Sequence, residues 1–247
     1  MVQTPIRTQT LYPDSDGQPM AENTKQYEWI VRLVENLKRL LEDQTAFVAG
    51  DLLWYPSQVE PGEQPPRQAP DAMVVLGRPA GHRGSYKQWD EAGIAPQVVF
   101  EIISPGNTMG EMFNKQVFYT QHGVLEMYFY DPNSYEFWGL VRETPQDVPT
   151  PVLRLNLPWV SPLLGIRFEM FADGLAVFYP NGEPFKTLTE LAKERDLARV
   201  ERDQTAIERN QAQAQRDQAT LERDTAQTKL ERAIARMRAA GLDPNDL

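Results

Sequence analysis

Two acids stand where apolar strands should be. Asp71 opens the run Pro70-Asp71-Ala72-Met73-Val74-Val75, and Glu101 sits inside Val98-Val99-Phe100-Glu101-Ile102-Ile103, which Ser104-Pro105-Gly106-Asn107 then breaks. A carboxylate taken out of water is costly unless it is paired or bound to a cation. Two strands side by side would converge the two groups into a minimal site for a hard divalent ion, with places left for water and a phosphate oxygen. The alternative use of Asp71 is to cap a turn after Pro70. In the segment after Glu101, Glu111, Lys115, Tyr119 and His122 fall at helical spacing on roughly one face. If that face turns toward Glu101, Lys115 brings a cation to stabilise charge on a phosphoryl group. Otherwise Lys115 forms a surface pair with Glu111, and Tyr119 packs.

Composition restricts what else can act. The chain has no cysteine and two histidines, His82 and His122. Disulfides, thiolate nucleophiles and zinc sites built on Cys or several His are therefore excluded. A metal would be held by carboxylates and carbonyls, which suits magnesium or manganese. Residues 1–192 carry 14 Lys and Arg against 24 Asp and Glu, while residues 193–247 carry 11 of each. So acidic a body argues against broad non-specific affinity for nucleic acid. Basic residues do gather at Arg78, Arg83 and Lys87, with Tyr86 and Trp89 between them, which fits either a phosphate-contacting loop or a solvated one. No apolar run is long enough to span a membrane, and MVQTPIRTQT lacks a secretory core, so a cytoplasmic protein is expected.

The elements that must position these residues follow from periodicity. Residues 23–43 read as an amphipathic helix, with Asn23 as cap and Gln26 as its capping-box partner. Strands are expected at 47–54, 72–76 and 98–103, a helix at 110–122, and a loop over 77–93. A hairpin turns about Asp131-Pro132-Asn133-Ser134, and short strands follow near 152–157 and 166–178. This order predicts an α/β fold over residues 1–187. From Leu188 the aromatic residues vanish. Triplets of Glu-Arg-Asp or close variants begin at Glu194, Glu201, Glu208, Gln215 and Glu222. Residues 188–247 therefore read as one long, charged, coiled-coil-like helix ending at Gly241, either simply solvated, joining copies into a homo-oligomer, or docking a partner.

The order PDAMVV, VVFEIISPGN and EMFNKQVFYTQHGVLEMYFYDP resembles the Uma-two family, a restriction endonuclease family of the PD-(D/E)XK nuclease superfamily, over about residues 20–180. The resemblance implies a restriction-endonuclease-like mixed sheet flanked by helices. It implies an endonuclease with Asp71 and Glu101 as its metal-binding acids. Joined to the residue chemistry above, this gives the expectation of a magnesium- or manganese-dependent enzyme cleaving DNA, with Asp71, Glu101 and Lys115 catalytic and the Ile102 carbonyl as a third ligand. The superfamily's usual lysine position is Ile103 here, so the resemblance implies that Lys115 has taken its place from the next helix. The competing reading is a nuclease-fold protein without catalysis, acting through its C-terminal helix. A two-carboxylate glycosidase would leave Lys115 without a role.

Overall fold

The computed structural model describes residues 11–240, which divide into two compact units parting after Thr189. The first unit is built on α1 (Thr24–Leu40), β1 (Ala46–Ala49), β2 (Trp54–Tyr55), β3 (Ala72–Leu76), β4 (Tyr86–Lys87) and β5 (Val98–Ile102). These are followed by α2 (Met109–Gln121), β6 (Glu126–Asp131), β7 (Glu136–Val141), β8 (Thr150–Leu153), β9 (Trp159–Val160), β10 (Arg167–Phe171) and β11 (Gly174–Phe178). α3 (Leu188–Ala239) makes up nearly all of the second unit. Among the described residues no helix is long and apolar enough to cross a membrane.

The main sheet has six strands in the order β1-β3-β5-β6-β7-β8. Its pairs are antiparallel except β5–β6, which run parallel and are joined through α2. The sheet is mixed, as expected. Strand alternation divides the core in two. Ala72, Val74, Phe100, Ile102, Tyr128 and Tyr130 face α1 and the small β9–β10–β11 sheet. Met73, Val75, Val99, Met127 and Phe129 face the side holding Met112 and Tyr119 of α2. Odd-numbered positions of β3 and β5 thus point toward α2, and Asp71 and Glu101 have that parity.

Three local readings change. The run 47–54 is two strands, β1 and β2, because the chain bends at Gly50 and Asp51. A side chain at Gly50 would place its Cβ 2.8 Å from Val34 Cγ2 and 3.1 Å from the Asp71 carbonyl, and Asp51 adopts a positive φ of 47°. The loop at 77–93 contains β4 and a short 3-10 turn at Gln88–Glu91. Asn23 caps α1 by accepting from the Gln26 N–H at 2.9 Å, but Gln26 does not close the capping box. Its Oε1 accepts from Glu22 N–H and its Nε2 donates to the Ile102 carbonyl, both at 2.9 Å. Gly241, the expected cap of the long helix, lies outside the described residues.

Candidate functional site

Asp71 and Glu101 meet because of register. β3 and β5 pair Ala72 with Phe100, so one residue further along each strand sets Asp71 beside Glu101 on the α2 side. Glu101 is 2% exposed and Asp71 8%. Asp71 is not a turn cap: its Oδ2 accepts from the Ile102 N–H at 2.6 Å, across the strands.

α2 supplies the cation. Its N-terminus is fixed by a capping box, with Thr108 accepting from the Glu111 N–H and Glu111 accepting from the Thr108 N–H. Glu111 is therefore turned back to the cap rather than to Lys115. Lys115 Nζ donates to Glu101 Oε2 at 2.6 Å, and the buried Tyr119 hydroxyl donates to Glu101 Oε1. Both Glu101 oxygens are thus met from one helix face, at positions one turn apart. Ile103, at the superfamily's lysine position, packs with the apolar cluster on that side. His122 packs against Trp54 and Phe118 and takes no part.

The electrostatics of this cluster are strongly perturbed. Burial, and then the charge of Glu101, push the Asp71 pKa up to about 8, against the pull of Lys115 and the Ile102 N–H. Burial disfavours the Lys115 ammonium, but the carboxylates of Glu101 and Asp71 outweigh it and hold its pKa above the usual lysine value. Burial and Glu101 together raise Tyr119 well above the ordinary phenol range. Asp51, in the bend after β1, is raised by burial first and then by Asp16. A groove of about 460 Å³ opens onto the cluster, lined among others by Gln26, Asp51, Asp71, Asn107 and Lys115.

Two members of this arrangement escaped sequence reasoning. Tyr119 shows the spacing signal, four residues after Lys115, but reads equally as packing. Gln26 carries no signal for its role, since its partner carbonyl is 76 residues away. The basic loop, in contrast, is committed internally. Arg78 and Arg83 both bind Glu91, at 2.7 and 2.6 Å, and hold its carboxyl below the usual range. Tyr86 is buried and Trp89 packs on Tyr12. The reading of that loop as a phosphate-contacting surface is therefore corrected for these residues.

The donor set suits a hard divalent ion. Among the described residues no group of three or more His, Cys, Asp or Glu could hold a metal. Magnesium, however, is commonly held by one or two carboxylates with water and substrate oxygens completing the shell. Asp71 has the chemistry such an ion would relieve: a buried acid kept protonated by its surroundings. The Ile102 carbonyl accepts one hydrogen bond from Gln26 and retains a second lone pair.

A family model described as "Uma2: Putative restriction endonuclease" matches residues 11–172. A crystal structure described as a putative nuclease belonging to DUF820, from Anabaena variabilis, is similar at 15% identity and a TM-score of 0.41. The likeness covers 60% of this chain and 77% of that one. No curated protein matches.

Proposed function

The chain belongs to the Uma2 restriction endonuclease family, and from that premise we propose that it hydrolyses phosphodiester bonds in DNA at the Asp71–Glu101–Lys115 cluster. The observation that carries the proposal is the meeting of three separate elements, β3, β5 and α2, at the Glu101 carboxylate. β3 brings an acid that burial keeps protonated, and α2 brings an ammonium within 2.6 Å. Glu126, buried in β6, is met by hydroxyl and amide donors alone, whereas Glu101 is met by an ammonium and has a second carboxyl beside it. Perturbed groups gathered at a groove favour the reading as a site.

Asp71, Glu101 and the Ile102 carbonyl would hold the ion. A bound magnesium or manganese ion supplies Lewis-acid polarisation of the phosphate and a water of lowered pKa. Lys115 lies next to the carboxylates, where its ammonium can donate to an oxygen that gains charge in the transition state. Tyr119 fixes the Glu101 carboxylate so that Lys115 is not free to swing. Gln26 does the same for the Ile102 carbonyl. Asp51 and Asp16 add negative charge to the groove, so a phosphate approaches only once cations offset it.

The test is magnesium-dependent cleavage of plasmid DNA by the full chain, with Glu101→Ala and Lys115→Met as controls. Cleavage in the wild type that both substitutions abolish is expected. Cleavage that survives Glu101→Ala would place the chemistry elsewhere. No cleavage under any metal would favour the non-catalytic interaction module.

A further inference from the structure

The charges of α3 are sorted by angle. With Leu197 at position a of the seven-residue repeat and Val200, Ile207 and Leu221 at d, every Glu-Arg-Asp triplet falls on e, f and g. Glutamate occupies e and aspartate occupies g. The two departures, Gln215 at e and Asn210 at g, are neutral, so neither edge carries a basic residue from Glu194 to Asp224. The arginine of each triplet sits at f, roughly 170° around the helix from the centre of the a–d seam at 100° per residue. An apolar seam is thus bordered on both sides by carboxylates, while its arginines point away from it.

The seam is open and its borders are held in place. Leu197, Val200, Ile207 and Leu221 are 51% to 68% exposed. Between them, glutamines at a donate to the glutamates at e one turn on: Gln204 to Glu208 at 2.9 Å and Gln218 to Glu222 at 3.0 Å. Neighbouring Arg195–Asp196 and Arg223–Asp224 contacts are largely exposed and offset little of the border charge.

This sorting decides which partner the seam accepts. In a parallel pair of identical helices, g of one faces e of the other, which here is aspartate against glutamate. In an antiparallel pair, e faces e and g faces g, again acid against acid. Both orientations place like charges along the whole contact, around a core weakened by glutamine. A helix with Lys or Arg at its own e and g positions meets opposite charge in either orientation. We propose that α3 docks such a basic-flanked helix of another protein along its a–d seam and rejects a second copy of itself. The repeat alone leaves solvation, self-association and partner docking open; the placement of its charges argues against self-association.

The proposal is tested on the full chain in two measurements. Light scattering during gel filtration at neutral pH and low salt should show a monomer. A fluorescent peptide copying residues 193–227 with Glu201→Lys, Asp203→Lys and the equivalent changes at every e and g acid should then bind. The same peptide with native borders should bind at least about tenfold more weakly, and high salt should abolish the difference. A wild-type dimer that Ile207→Glu dissociates would overturn the proposal. So would equal binding of the two peptides, or no binding of the Lys-bordered one. Displacement of the peptide by duplex DNA, itself lost on Arg202→Gln with Arg209→Gln, would assign the helix to nucleic acid instead and also overturn it.

Discussion

Glu101→Gln is the most informative single change. Glutamine keeps the shape and can still accept from Tyr119, but the Lys115 ammonium loses its ion-pair partner at 2.6 Å. Removing one partner of a buried pair ordinarily costs about 3–5 kcal/mol. Here a second carboxyl stands beside the first. Asp71 holds a proton up to about pH 8, through burial first and the charge of Glu101 second. Without Glu101 that second push disappears, Lys115 pulls unopposed, and Asp71 ionises to take over part of the pairing. The expected loss in metal-free buffer at pH 7 is therefore about 1–3 kcal/mol, below the ordinary range. The pH dependence gives an independent check. A carboxyl whose folded pKa is raised from 3.8 to about 8 contributes stability that is complete below its unfolded pKa and is lost as pH rises through the folded one. Wild-type stability should therefore decline between about pH 4 and 8, by at most ~1.4 kcal/mol per pH unit from this group. The Gln variant should show a flatter decline. Urea unfolding of both chains with EDTA at several pH values measures this. Parallel curves, or a variant more stable than wild type at pH 7, would refute the account of Asp71. Two bare, repelling carboxylates would give the second result, because Gln would relieve the repulsion; the proton on Asp71 and the dependence of Lys115 on Glu101 are why it is not expected.

Other outcomes follow from the same geometry. Lys115→Met should retain metal binding by calorimetry and lose about 100-fold or more in DNA cleavage rate. Tyr119→Phe should cost about 1–3 kcal/mol in denaturant unfolding, since Glu101 loses a buried donor, and should slow cleavage less than Lys115→Met does. Glu91→Gln breaks the contacts to Arg78 and Arg83 and should destabilise by about 1–3 kcal/mol at pH 7. The Glu91 pKa is lowered from 4.5, so its contribution is present above that value and lost as pH falls through the lower folded one; the gap between variant and wild type should close in acid melts. A chain ending at residue 187 should still unfold cooperatively near the wild-type temperature. Asn36, which bonds both backbone groups of Lys186 at 2.7 and 3.0 Å, remains within it. Loss of cooperative unfolding would show that the helix is part of the folding unit.

The site was half legible because half of it is local. The parity of Asp71 and Glu101 within two apolar runs is a sequence property, and so is the one-turn spacing of Lys115 and Tyr119. What alternation does not carry is which strands become neighbours. The pairing of β3 with β5 is set by the tertiary fold. Gln26 looked like a cap because capping is local chemistry, whereas its Nε2 answers a carbonyl on a distant strand. The break between β1 and β2 is a packing effect, caused by the approach of Val34 to Gly50, and apolar content alone reads straight through it. Arg78 and Arg83 looked available for phosphate because Glu91 folds back onto them only in three dimensions.

The origin of Lys115 in a crossover helix has a mechanical consequence. A lysine two positions along the same strand as its acid would keep its aim as long as the strand itself survived. Lys115 instead is aimed by the rotation of α2, which is indexed from the Thr108 cap seven residues earlier. Deleting one residue between Thr108 and Lys115 would leave every strand pairing possible and turn the ammonium by about 100° around the helix axis. Chain length in this short stretch is therefore as much a part of the site as side-chain identity, and an insertion or deletion there can silence it without removing any of its residues.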